Sequence, residues 1–363
     1  MKIVQLLPEL NQGGVERGTV ELSRELVKRG HQSIVISAGG KLARQITADG
    51  GEHITHDVCS KNPLTALPRI LKLKKILRRL SPDIVHARSR VPAWMCVFAL
   101  KGLDIPFVTT VHGFNSVNCY SRVMLRGERV IYGSTSIKEY VLENYHFDSS
   151  KLRYVPRGID MEYFDPAKLN HKFIDSFKEE HSLNGRYIIS IVGRITGWKG
   201  HPDFIQAVGR IHQENPNVLG LIVGRTADNK TEYYDQLKQQ AAAFGDDAFC
   251  FTGPQSQVRE IYSLSNIVIS AASTKPETFG RIAAEAMSMN TPVVASSHGG
   301  SLDIIKEPEA GMFYPPGNSD QLYKKIKLAM NHKFGDMRKH INDHFSLDIM
   351  VEKELAVYKE LLG

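Results

Sequence analysis

The sequence predicts an α/β protein with two doubly wound parallel sheets, and three observations support this class. Short apolar runs alternate with amphipathic stretches along the whole chain. The alternation is interrupted once, around residues 160–184, and then restarts. A length of 363 residues suits two domains of about 100–200 residues each. Because neighbouring parallel strands need a crossover helix between them, two successive series indicate two separate sheets.

The predicted strands are apolar runs that are each bounded by glycine, proline or polar residues. In the first series they are residues 3–7, 33–37, 83–87, 106–111, 130–133 and 152–156. In the second series they are residues 187–192, 218–223, 249–252, 267–270 and 292–296. The segments between the strands are predicted to be helical.

The interruption predicts where the domains divide. Pro166 and the polar stretch 170–184 break both series, so we expect a first domain at residues 1–165 and a second at 166–345. Residues 346–363 are expected to form a C-terminal helix that packs on the first domain.

Charge is spread unevenly between the two predicted domains. The chain has 46 Lys and Arg against 39 Asp and Glu, a net charge of +7. Residues 1–165 hold 24 and 16 of these, a net +8, which leaves 22 and 23, a net −1, for the remainder. A basic first domain implies an anionic partner, such as phosphate, nucleic acid or a membrane surface. A hydrophobic content of 42% excludes disordered and collagen-like classes.

The cysteines and the N-terminal residues favour a cytoplasmic protein. Cys59, Cys96, Cys119 and Cys250 lie far apart and form no CxxC pair, which predicts reduced thiols. The first apolar run ends at Pro8, too soon for a signal peptide. No apolar run approaches the ~18–20 residues of a membrane span.

Two glycines follow the first predicted strand. Gly13 and Gly14 precede a predicted helix, where backbone N–H groups and the helix dipole favour phosphate or carboxylate. A plain tight turn between strand and helix explains the pair equally well, because the chain lacks a full GxGxxG motif.

The second predicted domain places two cations after its first strand. Residues 193–200 contain three glycines together with Arg194 and Lys199. The carboxyl end of such a strand is where open α/β sheets bind nucleotides, and the two cations can neutralise a diphosphate. Two solvated surface cations are the alternative.

Two glutamates flank the start of a later helix. Glu277 lies in the loop after the strand at 267–270, and Glu285 is predicted about two turns inside the helix that follows. A carboxylate in the apolar stretch 282–287 needs a hydrogen-bond donor, and sugar or ribose hydroxyls are donors. A solvated Glu277 and an ion-paired Glu285 are the alternatives.

Together these motifs resemble a known family over essentially the whole chain. The motifs are Gly13-Gly14, Gly193-Arg194, Lys199-Gly200, Pro276-Glu277, Phe279-Gly280, Glu285-Ala286-Met287, residues 291–295 and Gly299-Gly300. In this order and spacing they resemble the retaining glycosyltransferases of family 4, which have a GT-B fold. The resemblance implies two Rossmann-like domains that face a cleft, the first binding the acceptor and the second a nucleotide-sugar donor.

The resemblance also implies roles for individual residues. Arg194 and Lys199 are expected to hold the donor diphosphate, Glu285 the ribose hydroxyls, and Glu277 the hydroxyls of the transferred sugar. Backbone N–H groups of Phe279, Gly280 and Arg281 are expected near the phosphates, and Gly13 and Gly14 against the donor from the other domain. Two positions depart from the family pattern: Arg281 replaces an apolar residue, and Arg157 replaces the usual Asn.

The resemblance makes Glu277 one catalytic candidate and places a second, His112, in the first domain. His112 ends a predicted strand, and a histidine at this place in the family contacts the transferred sugar. A purely structural histidine is the alternative. Residues 114–129 are then a candidate acceptor loop, with Asn115, Tyr120 and Arg122 as acceptor-binding candidates.

The resemblance implies retaining transfer by front-face departure and attack, in which the leaving diphosphate helps to deprotonate the acceptor. The chain has no DxD motif, and two cations already serve the diphosphate. We therefore expect no metal and no cofactor beyond the donor, which acts as a co-substrate.

A basic stretch at residues 67–80 carries six cations, with Ile70, Leu73, Leu77 and Leu80 as its predicted buried face. Such a helix can lie on an anionic membrane, so a peripheral position at the inner face of the membrane is one expectation. A packed crossover helix with a solvated basic side is the alternative.

These observations favour transfer of a sugar to a lipid-linked or lipopolysaccharide acceptor, or to another cell-surface glycan. UDP is favoured as the donor nucleotide by family frequency alone. A transferase for a small soluble acceptor and a non-catalytic nucleotide-sugar-binding protein remain the alternatives. Nucleic-acid binding fits the charge, but no interleaved aromatic motif supports it, so no nucleic acid is expected as a partner.

Overall fold

The computed structural model describes residues 1–11, 13–226, 231–306 and 308–363. These form two compact units. The first unit comprises Met1–Gly158 together with Leu347–Gly363, and the second comprises Ile159–Ser346. Each unit is built on one parallel sheet that is covered by helices.

The sheet of the first unit has seven strands among the described residues. They are β1 (Lys2–Leu6), β2 (Gln32–Ser37), β3 (Glu52–Thr55), β4 (Ile84–Ala87), β5 (Phe107–Val111), β6 (Arg129–Tyr132) and β7 (Leu152–Tyr154). Their order is β3-β2-β1-β4-β5-β6-β7, and every pairing is parallel. The central strands are buried along their length because both faces of the sheet are covered.

The helices of the first unit return the chain between these strands. They are α1 (Gly14–Lys28), α2 (Ala43–Ala48), α3 (Ala66–Leu80), α4 (Arg90–Ala99), α5 (Thr135–Asn144) and, from the end of the chain, α14 (Leu347–Lys359). Within the described part of the chain, no helix is both long and apolar enough to cross a membrane.

The sheet of the second unit has six strands among the described residues. They are β8 (Tyr187–Val192), β9 (Val218–Val223), β10 (Phe249–Gly253), β11 (Ile267–Ser270), β12 (Val293–Ser296) and β13 (Met312–Tyr314). Their order is β10-β9-β8-β11-β12-β13, again entirely parallel.

The second unit also contains eight described helices. They are α6 (His171–Glu180), α7 (His201–Glu214), α8 (Thr231–Ala242), α9 (Val258–Leu264), α10 (Arg281–Ser288), α11 (Ser301–Ile304), α12 (Ser319–Met330) and α13 (Met337–Phe345).

The structure differs from the sequence prediction at the division between the units. The second unit begins at Ile159, earlier than the expected boundary after residue 165. The polar stretch at 170–184 contains α6, whose Ile174 and Phe177 are buried in the core of the second unit. Two apolar residues one helical turn apart are enough to anchor this helix although its other positions are polar.

A buried polar cluster fastens α14 to the sheet of the first unit. Arg88, directly after β4, donates to Glu354 of α14 at 2.8 Å, and both side chains are almost fully buried. His86 Nδ1 lies 2.8 Å from the Tyr358 hydroxyl and 3.2 Å from Glu354. Burial alone would raise the pKa of Glu354, but the charge of Arg88 and the hydrogen bond with His86 outweigh it and lower this pKa to about 2.

We expect Glu354→Ala to lower the free energy of unfolding of the first unit by about 3–5 kcal/mol, because Arg88 then remains buried without its carboxylate. Hydrogen exchange of the amides in β1, β4 and α14 measures this loss. Glu352→Ala is the control, since Glu352 is exposed on the same helix. Equal losses in the two variants would contradict the assignment.

The ion pair of Arg88 and Glu354 also predicts that the stability of the first unit depends on pH. The pKa of Glu354 in the folded chain lies below its ordinary value of 4.5. The stabilisation by the charged carboxylate is therefore complete above pH 4.5 and is lost as the pH falls toward 2. Glu354→Gln, which cannot ionise, is expected to flatten the acid limb of the hydrogen-exchange stability profile.

Candidate active site

The strand order of the second unit reverses between β8 and β11. Helices that follow two such strands leave for opposite faces of the sheet, so a crevice opens between the loops at their carboxyl ends. The loop after β8 contains Arg194 and Lys199, and the loop after β11 contains Glu277. The fold therefore brings together groups that lie far apart in sequence.

Lys199 and Glu277 form an ion pair between these two loops. Their side chains are only 14% and 16% exposed, so neither charge is fully solvated. The Lys199 ammonium also lies 4.4 Å from the centroid of the Trp198 ring. A diphosphate that reached this point would meet a cation already held in place by a carboxylate and an aromatic ring.

A small pocket joins the predicted donor cations to Glu277. Arg194, Lys199, Glu277 and Ile282 line it, together with His201. Arg194 is exposed, whereas His201, the first residue of α7, is buried. Burial is the main cause that lowers the pKa of His201 to about 4, so this ring is neutral at pH 7. Sequence reasoning missed His201, although its position directly after Gly200 is a usable signal.

Glycines allow the loops of this pocket to approach each other. Gly200 has a φ of 72°, and a Cβ there would lie 1.8 Å from the carbonyl oxygen of Ala271. Gly299 has a φ of 70°, and a Cβ there would lie 2.3 Å from the carbonyl oxygen of Glu277. The next amide, of Gly300, donates to that carbonyl oxygen at 2.7 Å. The backbone of Glu277 is thus fixed by contacts that only glycine permits.

Glu285 lies one turn inside α10, not two as expected, because the helix starts only at Arg281 after Gly280 in the left-handed conformation. The Tyr262 hydroxyl donates to Glu285 Oε2 at 2.9 Å, and Arg281 Nη1 lies 3.7 Å from Glu285 Oε1. The buried carboxylate thus has protein partners. Phe279, immediately before Gly280, is buried. Tyr262, on α9, was not anticipated, because no local pattern links it to Glu285.

In the first unit, Arg157 connects two of the predicted site residues. Its Nη1 donates to the carbonyl oxygen of Gly14 at 2.7 Å, and its Nη2 lies 3.1 Å from His112 Nδ1. Gly14 is the first residue of α1, and Gly13 precedes it. Arg157, one of the two positions that depart from the pattern of the resembled family, therefore joins the glycine turn to the histidine.

The contact with Arg157 defines the state of the His112 ring. A guanidinium only donates, so Nδ1 must accept and the proton of the neutral ring lies on Nε2. Nε2 is buried, and no hydrogen-bond partner is recorded for it among the described residues. Burial, followed by the charges of Arg157 and Arg88, holds the pKa of His112 well below its usual value. His112 is therefore a neutral donor rather than an acid at pH 7.

The three acceptor candidates are placed differently by the structure. Arg122 Nη2 donates to the carbonyl oxygen of His146 at 2.9 Å. The side-chain Nδ2 of Asn115 donates to the carbonyl oxygen of Gly113 at 3.4 Å. The backbone carbonyl oxygen of Asn115 accepts from the Tyr140 hydroxyl. The ring of Tyr120 stacks on Trp94, and its buried hydroxyl has no recorded partner among the described residues.

Two family profiles match consecutive parts of the chain. Glycosyltransferase Family 4 matches residues 12–163, and Glycosyl transferases group 1 matches residues 173–344. The GDP-mannose-dependent alpha-mannosyltransferase of Mycobacterium tuberculosis is 26% identical over an alignment of 339 positions, which covers 86% of this chain and 82% of that protein.

Solved structures give the same result. A glycosyltransferase from Rickettsia africae superposes with a TM-score of 0.91 at 32% identity, covering 100% of this chain and 98% of that one. Anabaena Alr3699/HepE in complex with UDP has a TM-score of 0.86 at 18% identity, covering 99% and 100%. The expected fold and family are confirmed: the chain belongs to the glycosyltransferases of family 4, the glycosyl transferases group 1, and has the two-domain α/β GT-B fold.

Proposed function

We propose that this glycosyltransferase moves a sugar, with retention of anomeric configuration, from a nucleotide diphosphate sugar to a lipid-linked or lipopolysaccharide acceptor or another cell-surface glycan. The observation that supports it most is the meeting of Arg194, Lys199 and Glu277 at the strand-order reversal of the second unit. Two cations and one carboxylate in a single pocket suit a diphosphate joined to a polyhydroxylated ring.

The Lys199–Glu277 ion pair suggests how the donor binds. A diphosphate competes with the Glu277 carboxylate for the Lys199 ammonium, because phosphate oxygens accept the same charge-assisted hydrogen bonds. Once Lys199 turns to the phosphates, the carboxylate oxygens are free to accept hydrogen bonds from the hydroxyls of the transferred sugar. Arg194, which is exposed at the same pocket, supplies the second positive charge.

The remaining donor residues have roles that depend on backbone and burial. Gly280 and Phe279 precede α10, so the amides of this turn and of Arg281 are candidates to bind phosphate oxygens at the helix N-terminus. Glu285 is proposed to accept the ribose hydroxyls alongside its bond from Tyr262. Gly13 and Gly14 are proposed to approach the donor from the first unit.

The proposed chemistry needs placement and electrostatics more than a covalent partner. The acceptor oxygen bonds to the anomeric carbon on the face from which the diphosphate leaves, and its proton passes to the departing phosphate oxygen. Lys199 and Arg194 stabilise the charge that develops there. His112 donates its Nε2 proton in a hydrogen bond to the sugar without giving it up. No metal is required in this scheme, so activity is expected to persist in EDTA.

The acceptor proposal rests on charge and on exposed apolar side chains. Residues 1–165 carry a net charge of +8, and six cations lie on α3. Leu67 and Leu71 on that helix are 65% and 58% exposed. A surface that combines cations with exposed leucines favours an anionic membrane and hence a membrane-bound acceptor, reached from a peripheral position at its inner face.

Two substitutions separate the proposed roles of the ion pair. Lys199→Ala is expected to weaken binding of UDP about 10–100-fold, because one charge-assisted contact to phosphate is lost. Glu277→Ala is expected to abolish sugar transfer and donor hydrolysis while UDP binds at least as tightly, because Lys199 loses its competitor. Calorimetric titration and nucleotide release measure the two effects.

The matched controls for these substitutions are Lys172→Ala and Glu179→Ala, both exposed on α6. Neither control is expected to change binding or transfer. A Glu277→Ala variant that lost UDP affinity as strongly as Lys199→Ala would count against separate roles.

The donor nucleotide is proposed to be UDP. HepE of Anabaena was solved with UDP, whereas the related mannosyltransferase of M. tuberculosis depends on GDP-mannose. A ligand that binds only the folded chain raises its melting temperature. A thermal-shift screen of UDP-, GDP- and ADP-sugars is expected to give the largest shift with a UDP-sugar, and a larger shift with a GDP-sugar would overturn this choice.

Arg157 is proposed to act as a positioning residue through His112. Arg157→Gln is expected to raise the pKa of His112, although burial still holds it below its ordinary value, and to leave the ring free to exchange tautomers. Nitrogen chemical shifts of the ring measure both changes. Arg126→Ala, an exposed control in the same unit, is expected to change neither. An unchanged His112 spectrum in Arg157→Gln would exclude this role.

A further inference from the structure

An open groove lies between α3 and α4 in the first unit, apart from the residues assigned above to the donor. Most of its lining side chains are apolar or aromatic, including Pro63, Ile70, Trp94, Met95, Phe98 and Tyr120. A concave apolar surface with few polar groups is typical of a site for a hydrocarbon ligand.

One wall of the groove is a preformed aromatic stack. The ring of Trp94 lies between those of Phe98 and Tyr120, with centroid distances of 6.1 and 6.5 Å and nearly parallel planes. Trp94 Nε1 donates to the carbonyl oxygen of Tyr120 at 3.0 Å, so its polar atom is already satisfied. The indole of Trp94 can therefore be covered by a hydrocarbon chain without a cost for burying an unpaired N–H donor.

The surface beside the groove is apolar and exposed. Leu64, Leu67 and Leu71 are 88%, 65% and 58% exposed, and Phe98, which also lines the groove, is 43% exposed. Leu67 and Leu71 lie one turn apart on the same side of α3. Exposed large apolar side chains that cluster beside a groove mark an interaction surface rather than a scattered background.

The charges around this surface favour an anionic lipid as the ligand of the groove. Lys61, which is exposed, and Arg69 line the groove, and no acidic residue occurs between Asp57 and Asp83. Arg69 is already held by Asp57 at 3.7 Å and by the carbonyl oxygens of Thr65 and Asn62, so Lys61 is the lining cation that faces solvent. A protein partner needs a complementary acidic and apolar face, whereas a membrane lipid combines an anionic phosphate and a hydrocarbon chain in one molecule. The wall residue Tyr120 also belongs to the candidate acceptor loop that follows His112.

We propose that this groove holds a hydrocarbon chain of the phosphate-bearing lipid acceptor, while Leu64, Leu67 and Leu71 enter the adjoining membrane. The proposal rests on the lipid-linked acceptor proposed above. Lys61 binds the phosphate, and the groove fixes the position of the lipid relative to the acceptor loop. The hydrocarbon chain of the acceptor thus anchors the acceptor in the membrane and is also recognised by the enzyme.

The first test measures chain binding without any transfer reaction. Trp94 and Trp198 are the two tryptophans of the chain, so Trp198→Phe leaves Trp94 as the sole indole reporter. A bromine-labelled dodecyl phosphate is expected to quench Trp94 fluorescence. Unlabelled octyl, decyl and dodecyl phosphate are expected to compete with affinities that rise about fourfold per buried methylene. Quenching that does not depend on chain length would overturn the proposal.

Two variants locate the binding. Ala66→Phe fills the groove and is expected to weaken dodecyl phosphate binding at least tenfold. Leu71→Ser is expected to reduce sedimentation with anionic phospholipid vesicles, whereas Leu328→Ser, also at a 58% exposed leucine but in the second unit, is not. The lipid site is refuted if Ala66→Phe binds dodecyl phosphate as tightly as the wild type does. It is also refuted if the wild-type protein self-associates through this face and Ala66→Phe abolishes that self-association.

Activity then separates this inference from the proposed function. Ala66→Phe is expected to raise the KM for a lipid-linked acceptor while donor hydrolysis and the KM for the donor stay unchanged. If the wild-type protein transfers sugar only to soluble acceptors, the proposed acceptor class is wrong. The assignment of the groove to the hydrocarbon chain of that acceptor is then wrong as well. If transfer to lipid proceeds with an unchanged KM in Ala66→Phe, only the groove assignment fails.

Discussion

Parallel strand pairing is the constraint on which both units depend. Strands that run in the same direction must be joined by helices that return across the sheet, so their carboxyl ends and following loops meet at one edge. The order reverses between β1 and β4 in the first unit and between β8 and β11 in the second. In the first unit, Gly14 begins the helix after β1, Arg88 follows β4, and His112 follows the neighbouring strand β5. In the second unit, Arg194 and Lys199 follow β8, and Glu277 follows β11.

Each unit contains a cation that is paired with a glutamate, but the two ion pairs differ in their exposure to solvent. Arg88 is sequestered with Glu354, and both side chains are almost inaccessible, so this pair serves the attachment of α14. Lys199 and Glu277 keep more of their surface accessible and lie at a pocket, which is why we propose that an anionic ligand replaces Glu277 as the partner of Lys199. A lysine or arginine paired with a glutamate stabilises the fold where solvent is excluded, as at Arg88. Where solvent reaches the pair, as at Lys199, we propose that the cation can bind a ligand.

The sequence was most informative where structure is local. The central strands, the basic helix and the motif residues after β8 and β11 follow from short apolar runs and the residues next to them. The sequence does not predict the edge strands β3 and β13. Ile54 is the one apolar residue in β3, so it forms no apolar run, and β13 is a run of three residues directly after Gly311. Helix α6 was read as a polar break because only Ile174 and Phe177 are buried in it.

The partners of the site residues could not be predicted. Arg157 lies 45 residues from His112, and Tyr262 lies 23 residues from Glu285. These contacts follow from how helices and loops pack on the sheet, and no spacing in the sequence encodes them. The departure at Arg157 was visible as a residue type, but its bonds to His112 and Gly14 became clear only in the fold.

That arginine also constrains a residue in the middle of α1. A Cβ at Gly18 would lie 2.8 Å from Arg157 Nη1, so a larger residue there requires the guanidinium to shift from its bond to the carbonyl oxygen of Gly14. Glycine inside a helix lowers the free energy of unfolding by about 0.5–1 kcal/mol relative to alanine. At position 18 the missing side chain leaves room for the guanidinium of Arg157. Positions 18 and 157 should therefore covary among related chains, with alanine or larger residues at 18 wherever 157 is shorter than arginine.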